Sequence, residues 1–425
     1  MARNLPRKPH KSIYDVVHGQ ISLEGAPLEL IGHRAFQRLW GVRQTGFAHL
    51  VFPGANHTRL EHSLGVYFVA GRMADALGLA PHEREEVVCG GLLHDLGHGP
   101  FSHTLDGPMQ EVLGFGHEKI SRRWIVGGGP EPALRAPETG PSIPEILERH
   151  GLAPSPIADL VDPPRHRDRR PLLRSILHGP IDADRLDYLQ RDTHYTGVGH
   201  GAIDTARLLD TVEVERGRLL FAEKGRSAVE GFLLGRTLMY SSVYYHKTVR
   251  AAEVMLSSAV ERLPGYPEAA RELFGLTDGD LLAWLGGASE YARSISVALR
   301  ERRLFKRVAG WRELPAGRRR PVERWARRPA ERRQLEAELA QLLGAPDGAL
   351  LVDLSGCEPR LADAEDLAEI AVREGPRVTH PFEENPHWRS LLLRPPSAWA
   401  LAVYVHPGWR HVAEERLPRA LERYL

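Results

Sequence analysis

Apolar and polar positions alternate near the start of the chain and then change to a helical spacing. Residues 11–24, KSIYDVVHGQISLE, follow a period of two and include β-branched side chains, which predicts a short strand or the edge of a hairpin. Residues 26–44 repeat apolar side chains at helical intervals and therefore predict a helix. A Pro-Gly turn follows, after which Asn56 is the expected cap of a helix whose apolar face begins with Leu60 and Leu64.

Two further helices are predicted around a group of histidines. One starts near Pro81, carries charged residues in its first turn, and is stopped by Gly97, Gly99 and Pro100. The segment FGHEKISRRWI predicts the other, shorter helix. A small helix is expected near residues 143–152, inside a stretch rich in Gly, Pro and Arg that we interpret as solvated loops rather than a phosphate-binding surface.

The middle of the chain predicts a helix, a hairpin and a long helix. After Pro180, either Asp182 or Asp184 opens a helix in which polar side chains share one face and leucines another. The segment VEVERGRLLFAEKG predicts a hairpin with Arg-Gly at its turn. Residues 227–262 predict one long helix.

The pattern changes again from about residue 265. Helical stretches near residues 275–302 and 327–343 bracket an Arg-rich block, and strand-like runs, ALLVDLS and WALAVYVHP, precede a final amphipathic helix. We therefore predict a mainly α protein. It has a helical core, residues 1–262, and a smaller mixed α/β C-terminal lobe, residues 263–425, with a regulatory or oligomerisation role.

Composition narrows the class of protein. With 425 residues, of which 42% are hydrophobic and 26% charged, the chain can bury a sizeable core, and its net charge of +1 gives no global attraction to nucleic acid or acidic membranes. Cys89 and Cys357 provide neither a disulfide framework nor a thiolate zinc site. Because we find no secretory signal and no apolar run of about 18 residues, we expect a cytoplasmic protein. Heavy use of Arg, Ala, Pro and Gly suggests a GC-rich bacterial genome.

One segment, GLLHDLGHGPFSHTLD, concentrates side chains that bind metals or move protons. Within thirteen residues it contains His94, Asp95, His98, His103 and Asp106. A solvated surface does not need such a group, and an ordinary core avoids it. The segment therefore predicts a functional site.

His62 and Asp184 extend this pattern to three predicted helices. Together with His94 and Asp95 they supply two imidazoles and two carboxylates, a ligand set suited to Fe, Mn, Zn or Mg with positions left for water. The alternative is that these four side chains are hydrogen-bonded polar groups of the core. Their combination makes a divalent metal site the preferred interpretation.

Polar and aromatic side chains also follow the two later helices. Asp184, Tyr188 and either Arg191 or Asp192 form one stripe. The long helix carries a second group: Arg236, Tyr240, Tyr244, Tyr245, His246, Lys247 and Arg250. An aromatic stripe is more often core, but tyrosines interleaved with Arg and Lys suit stacking on a base while neutralising phosphates.

These motifs resemble a known family. The order NHTRLEHSLGV, GLLHDLGHGPFSH, GHE and IDADRLDYLQRD is similar to the HD-domain superfamily, specifically the deoxynucleoside triphosphate (dNTP) triphosphohydrolases. Among these it resembles the group that includes the mammalian sterile-alpha-motif/HD-domain enzyme and its bacterial relatives. The similarity spans roughly residues 11–255, and it implies an HD-domain helical core that converts a dNTP to a deoxynucleoside and inorganic triphosphate.

The resemblance assigns roles to the matching positions. It implies metal ligation by His62, His94, Asp95 and Asp184. It implies a catalytic acid or base at His117, in a cavity shared with His98, His103 and Asp106. It implies phosphate contacts by Arg59, Arg185 and Arg236, and sugar contacts by Gln44, Tyr188, Asp192 and Tyr244, where a 3′-hydroxyl is recognised and a 2′-hydroxyl is crowded out. An additional Mg is expected to accompany the substrate.

Regulatory positions match only in part. Where the mammalian enzyme selects a guanine activator with Asp and Arg, this chain has Gly32 and Trp40, although Gln37 is kept. His246 and Lys247 match residues of an allosteric nucleotide site formed between subunits. The resemblance therefore implies a homo-oligomer, a tetramer or dimer, with activation by a nucleotide.

Two other functions remain open from the sequence. A different HD phosphohydrolase, acting on a nucleoside monophosphate, a cyclic dinucleotide or an alarmone, would use the same metal site. A non-catalytic nucleotide sensor or nucleic-acid-binding protein is supported only by the Arg-rich block of residues 299–333, which is better explained as a solvated, ion-paired face.

Overall fold

The computed structural model describes residues 10–128, 140–163, 170–314, 318–354, 367–384 and 399–424. Within these ranges the protein is mainly helical, as predicted. The α-helices are α1 Gly25–Leu30, α2 Arg34–Gln37, α3 Arg59–Ala76, α4 Pro81–Leu93, α5 Ser102–Leu113, α6 His117–Val126, α7 Ile143–Arg149, α8 Pro154–Val161, α9 Pro171–His178, α10 Ala183–Thr196, α11 Thr205–Thr211, α12 Arg226–Met239, α13 Lys247–Glu261, α14 Asp278–Ala288, α15 Glu290–Arg300, α16 Arg319–Arg327, α17 Pro329–Leu343, α18 Pro381–Glu384 and α19 Arg410–Leu421.

Nine short strands form three small sheets in the described residues. The strands are β1 His10–Asp15, β2 Gly19–Glu24, β3 Val212–Glu215, β4 Arg218–Ala222, β5 Lys306–Trp311, β6 Leu350–Asp353, β7 Val372–Glu374, β8 Arg377–Thr379 and β9 Leu401–Val405. β1 pairs with β2, the order of the second sheet is β3-β4-β7-β8, and the order of the third is β5-β9-β6. All pairings are antiparallel except β4 with β7.

The segment predicted as a short strand or hairpin edge and the segment predicted as a hairpin both form hairpins, and each turn has a local cause. In the first, the Asp15 carboxylate accepts hydrogen bonds from the backbone N–H groups of Val17 and His18, which closes the turn before β2. In the second, Arg216 and Gly217 adopt φ values of 51° and 76°. Two successive residues with positive φ produce the turn whose twist matches a two-residue hairpin.

Helix α3 begins two residues later than the Asn56 cap predicts. Thr58 is the cap, because its side chain accepts from the Glu61 N–H while the Glu61 carboxylate accepts from the Thr58 N–H at 2.6 Å. The Asn56 amide instead donates to the Pro53 carbonyl at 2.6 Å. The prediction of the helix is confirmed, and the prediction of its cap is wrong.

Two segments predicted as single helices are interrupted. Residues 26–44 form α1, α2 and a 3₁₀ turn, Arg38–Gly41, because His33 adopts an extended ψ of 138° and its side chain caps the following turn. Residues 227–262 are divided by a π turn at Tyr240–Tyr244 and by His246, whose extended backbone and side chain cap α13. Each break is a local cap that apolar periodicity does not reveal.

The described residues form two apolar cores. The larger one contains the helices up to α15 together with Leu351, Val372 and Tyr404, and the smaller one packs α16, α17 and α19 on β6 and β9. Asp278 of α14 accepts hydrogen bonds from backbone N–H groups at Arg43 and Phe101, so α14 is tied to the N-terminal half. The division after residue 262 stays a prediction.

The cysteines, the Arg-rich segments and the apolar character of the helices were also considered in the sequence. Cys89 is a buried free thiol, whereas Cys357 and parts of both Arg-rich segments lie outside the described residues. Among the described helices, none combines the length and apolar character that crossing a bilayer requires.

Candidate metal centre and adjoining pocket

The four side chains predicted as metal ligands meet between α3, the end of α4 and the start of α10. His62 Nε2 lies 3.0 Å from an Asp184 carboxylate oxygen and 3.7 Å from one of Asp95. His94 Nε2 lies 3.1 Å from Asp95 and 3.9 Å from Asp184. The small residue Gly91 lets α4 approach α3 closely at this level. Residues distant in the sequence therefore direct nitrogen and oxygen atoms toward one point.

The two imidazoles are oriented as metal ligands require. His94 Nδ1 donates to the Gly91 carbonyl at 2.7 Å, which leaves the buried Nε2 lone pair directed into the cluster without a hydrogen bond. His62 Nδ1 donates to Asp187 at 2.8 Å, which leaves its Nε2 facing Asp184. A ligating histidine commonly donates its other ring N–H to a carboxylate or a carbonyl, so these residues fit a divalent cation.

The cluster favours positive charge. Burial lowers the pKa of His62, but hydrogen bonds to Asp184 and Asp187 outweigh that effect and raise the pKa to about 10. Burial raises the pKa of Asp184, but the hydrogen bond from His62 and the charges of both histidines lower it to about 2. The carboxylates therefore stay ionised and attract protons to the imidazoles, and a divalent cation would supply the same charge in place of those protons.

Asp187 is the buried acceptor behind His62, and sequence reasoning missed it. Its carboxylate also accepts from His18 Nε2 at 2.6 Å and from the Arg191 guanidinium at 2.9 and 3.0 Å. Arg191 in turn donates to Asp15 at 2.7 Å, so the β1–β2 hairpin is connected to the metal ligand. The spacing of Asp187 and Arg191 in DRLDYLQRD was a usable signal, because charged residues four apart on a largely buried helix need partners.

Arg191 and Asp192 were left as alternatives for the polar stripe, and the structure separates them. Asp184, Tyr188 and Asp192 line the pocket, whereas Arg191 points away into the Asp187 network and is fully buried. The polar stripe of α10 therefore consists of Asp184, Tyr188 and Asp192, which are spaced four residues apart.

A second group of titratable side chains lies beside the first. Asp95, His98 and His117 have ligand atoms close together, with His98 Nε2 3.3 Å from Asp95 and the His98 and His117 rings stacked at 3.6 Å. Burial, followed by the charges of Arg59 and His117, lowers the pKa of His98 well below its usual range. Burial also lowers the pKa of His117, although nearby carboxylates oppose it. Without a bound anion, both imidazoles are mainly neutral at neutral pH.

His117 is held by the turn that follows α4. The Ser121 hydroxyl accepts from the Gly97 N–H at 2.8 Å and donates to the His94 carbonyl at 2.6 Å. A Cβ atom at Gly97 would overlap the His117 backbone. The glycine in HDLGH therefore allows α6 to place His117 directly against the metal cluster.

His103 and Asp106 are less central than predicted. His103 lines the pocket, but its side chain is 67% exposed. Asp106 lies behind it and contacts its Nδ1 at 3.3 Å, and it is not part of the pocket wall. Burial raises the pKa of Asp106, but the hydrogen bond to His103 and the charges of the neighbouring histidines outweigh burial. The net effect is a pKa below the usual range of an Asp. Helix α5 turns Asp106 toward His103, and its predicted role in the cavity stays a prediction.

The pocket beside the metal cluster is large and basic on one side. Its volume is about 850 Å³, and its wall includes five arginines, of which Arg59, Arg185 and Arg236 were predicted to contact phosphate. Arg59 donates to Asp95 at 2.5 Å and to Ser102 at 2.7 Å, while Arg185 donates to Asp182 at 3.0 Å. Burial raises the pKa of Asp182 to about 7, and Arg185 opposes that shift. These arginines provide several N–H donors for an anionic ligand.

Part of the pocket wall is aromatic and polar. The Tyr244 hydroxyl donates to one oxygen of Asp192, and its ring packs at right angles to Tyr188 and Tyr240. Burial, together with Asp192, raises the pKa of Tyr244 well above its usual range, so it remains a donor. The buried side-chain oxygen of Gln44 has no hydrogen-bond partner among the described residues. This wall offers stacking surfaces and acceptors for hydroxyl groups.

His246 and Lys247 do not line this pocket. His246 Nδ1 accepts from the Thr248 N–H at 3.2 Å, and its ring contacts Phe52 edge-on at 6.1 Å. Lys247 is exposed in the single chain. Their predicted role in a nucleotide site between subunits stays a prediction.

Comparison with known proteins gives consistent matches. A model of the HD domain matches residues 59–192, and one of the HD-associated region matches residues 203–424. Uncharacterized protein MJ1154 of Methanocaldococcus jannaschii is 32% identical over 320 residues, which are 74% of this chain and 62% of that protein. Human deoxynucleoside triphosphate triphosphohydrolase SAMHD1 is 29% identical over 289 residues, which are 61% of this chain and 45% of that protein.

A solved structure extends the likeness to almost the whole chain. The crystal structure of a phosphohydrolase from Bacteroides thetaiotaomicron superposes with a TM-score of 0.69 at 25% identity, covering 94% of this chain and all of the other. In contrast, the chain spans less than two thirds of the length of the two curated relatives above. The match to the phosphohydrolase therefore includes the C-terminal residues as well as the histidine-rich core.

Proposed function

The chain belongs to the HD-domain family that carries the HD-associated region, with the histidine and aspartate centre of a metal-dependent hydrolase, and we propose that it hydrolyses dNTPs to deoxynucleoside and inorganic triphosphate. One observation carries the proposal. The metal cluster, the arginine wall and the polar aromatic wall all face a single cavity. A metal site alone would suit any phosphohydrolase, whereas this combination suits a ligand with a polyphosphate, a sugar and a base.

The relatives favour the same substrate class. SAMHD1 proteins from human, chicken and frog, which are named as dNTP triphosphohydrolases, are 29 to 30% identical to this chain over 287 to 290 residues. Because the chain matches 45% of each of them, the activity of the whole relative supports this proposal without establishing it.

The arginine wall would hold the polyphosphate. Arg59 extends beside Asp95 and His103, within the histidine cluster, while Arg185 and Arg236 line the wall beside Asp184 and Tyr240. A triphosphate carries several negative charges, so donors on more than one side would both neutralise it and fix its orientation.

His62, His94, Asp95 and Asp184 would hold a divalent cation, which when bound would polarise a phosphoryl oxygen and lower the pKa of water. We assign His117 to proton transfer. Water attacks the α-phosphorus, the bond from that phosphorus to the 5′-oxygen breaks, and the imidazole donates a proton to the departing 5′-oxygen. A bound triphosphate would raise the lowered pKa of His117 and so favour its protonated form.

His98 and His103 would support this step through different contacts. The stacked His98 ring keeps His117 from rotating, and His103 accepts a hydrogen bond from Arg59 at 3.3 Å. Asp106 orients His103 through its Nδ1. We therefore assign Asp106 a positioning role.

The polar aromatic wall would recognise the deoxyribose. The Asp192 carboxylate would accept the one hydrogen bond that the 3′-hydroxyl can donate, the Gln44 side-chain amide would contact the same hydroxyl, and Tyr188 and Tyr244 would close the space beside it. A ribose would add a 2′-hydroxyl that these rings would crowd. Base preference depends on contacts that these residues do not supply.

Activation by a nucleotide at a subunit interface belongs to the same proposal. His246 and Lys247, at the start of α13, lie outside the substrate cavity and are free to meet a second subunit. A homo-oligomer with activity sigmoidal in dNTP is the expected behaviour. A strictly monomeric protein at micromolar concentration would contradict it.

Substrate profiling with matched variants tests the proposed activity. Each dNTP, alone and mixed with the others, is compared with nucleoside monophosphates, cyclic dinucleotides and an alarmone. We expect turnover of dNTPs only, a loss of at least 100-fold in His94→Ala, and a change below twofold in His82→Ala. His82 is an exposed histidine on the same helix. Faster hydrolysis of a monophosphate or cyclic dinucleotide than of any dNTP would identify a different HD phosphohydrolase, and dNTP binding without turnover would identify a sensor.

A further inference from the structure

His57 lies outside every role assigned so far, although it is almost fully buried beside the pocket. It precedes α3 by two residues and is 1% exposed. Its Nε2 donates to a carboxylate oxygen of Asp192 at 2.7 Å. Because Asp192 lines the pocket and His57 does not, the imidazole supports the pocket wall from behind.

The backbone of His57 also fixes a second residue of that wall. The Gln44 N–H donates to the His57 carbonyl at 3.0 Å, and the Arg59 N–H donates to the Val42 carbonyl at 2.9 Å. These bonds pair the segment before α3 with the segment that carries Gln44. His57 therefore contacts both residues proposed to bind the sugar hydroxyl: its carbonyl accepts from the Gln44 N–H, and its side chain donates to Asp192.

The His57 ring has little freedom to leave this position. It stacks on Tyr195 at 4.5 Å with an angle of 20° between the rings, and the Tyr195 hydroxyl donates to Glu61 at 2.7 Å. The other ring nitrogen, Nδ1, is buried and makes no hydrogen bond among the described residues. The hydrogen bond from Nε2 to Asp192 is therefore the only side-chain hydrogen bond of this ring among the described residues.

Each carboxylate oxygen of Asp192 accepts a hydrogen bond from a different side chain. His57 donates to one of its oxygens and Tyr244 to the other, so the carboxylate plane is fixed while lone pairs remain free for another donor. Losing either donor would leave the carboxylate free to rotate. The consequence would fall on ligand recognition rather than on the metal cluster.

We propose that His57 is a positioning residue for the sugar subsite, which orients Asp192 to accept a hydrogen bond from the 3′-hydroxyl of the substrate and fixes the main chain of Gln44 beside it. The assignment rests on the proposed function, because it presumes a deoxyribose in this part of the pocket. It adds a specific consequence: discrimination for the 3′-hydroxyl depends on a residue that never touches the substrate.

The test compares His57→Phe with His57→Gln. Phenylalanine keeps a ring for stacking on Tyr195 but removes the donor to Asp192, whereas glutamine can place an amide N–H near the position of Nε2. A matched control is His150→Phe, because His150 donates to Glu29 at 2.8 Å at a distance from the pocket. The readouts are KM and kcat for a dNTP, the same constants for the corresponding 2′,3′-dideoxynucleoside triphosphate, and metal content.

We expect His57→Phe to raise KM for the dNTP at least tenfold with a smaller change in kcat. It should also reduce the preference for the dNTP over its dideoxy analogue at least fivefold. His57→Gln should restore both values to within threefold of wild type, and His150→Phe should change neither. Metal content should be equal in all four proteins, because His57 does not contact the metal cluster. If His57→Phe does not fold, His57→Leu also removes the donor to Asp192 and should reduce the same preference.

Two results would overturn the proposal and can be told apart. If the wild-type protein releases no triphosphate from any dNTP, the proposed function fails and this assignment fails with it. If the wild type is active but His57→Phe keeps the dNTP preference within twofold, or His57→Gln is no better than His57→Phe, the positioning role alone is wrong. A loss that affects kcat and metal content equally would also contradict it.

Discussion

Replacing Asp187 with Asn should weaken metal binding without removing a metal ligand. Asp187 accepts hydrogen bonds from three residues, His62, His18 and Arg191, and it is completely buried. Asparagine has one acceptor oxygen and one N–H₂ donor. The N–H₂ group of the asparagine would therefore face at least one of these N–H donors, with no acceptor between them. The buried Arg191 would keep only Asp15 as a charged partner.

The expected magnitude has two parts. Changing the group that accepts the non-ligating ring N–H of a metal-binding histidine typically lowers metal affinity by about 10- to 100-fold. This loss is equivalent to roughly 1.4–2.7 kcal/mol. Breaking a buried ion pair by removing one charge costs about 3–5 kcal/mol of stability. An exposed Asp–Arg pair is worth at most about 1 kcal/mol, so Asp75→Asn, which alters the exposed pair with Arg84, is the matched control.

The assay separates metal affinity from folding. Metal dissociation constants are measured by competition with a chromophoric chelator, and unfolding by denaturant is measured with excess metal and with excess chelator. Asp187→Asn should bind metal 10- to 100-fold more weakly and Asp75→Asn within twofold of wild type. If Asp187→Asn binds metal with wild-type affinity, the reasoning that links the β1–β2 hairpin to the metal centre is refuted.

Three further predictions concern the same region. Gly65→Ala places a methyl group against the buried carboxylate behind the metal site and should destabilise by about 1–3 kcal/mol, whereas Gly231→Ala, in open space on α12, should stabilise by up to about 1 kcal/mol in denaturant unfolding. In the presence of chelator, the raised pKa of His62 should contribute stability that is fully present below pH 6.5 and is lost as the pH rises toward 10. Unfolding experiments that show no such loss would contradict the preference of the cluster for positive charge. Thr58→Ala should cost about 0.5–2 kcal/mol by removing the α3 cap, and an equal cost for Asn56→Ala would contradict the cap assignment.

The sequence predicts the parts of the site that carry their own motifs. His94 and Asp95 are adjacent, and His62 and Asp184 stand in recognisable helical segments, so the cluster could be predicted before the structure. The helix boundary at Pro81 and both hairpins also follow from local signals. These features depend on short-range periodicity, proline and glycine positions, and turn chemistry.

Features that depend on distant pairing could not be predicted in the same way. His18 reaches Asp187 across 169 positions, and His57 reaches Asp192 across 135. Nothing in the local sequence of either histidine indicates its partner. The interruption at His246 was also missed, because a side-chain cap ends one helix and begins another without a glycine or proline.

The most direct test of the central claim is hydrolysis of a dNTP in ¹⁸O-labelled water, with the products identified by mass spectrometry. Attack at the α-phosphorus predicts inorganic triphosphate carrying one labelled oxygen and an unlabelled deoxynucleoside. His94→Ala should give neither product above background. Labelled phosphate or pyrophosphate as the first product, or label in the deoxynucleoside, would contradict the account.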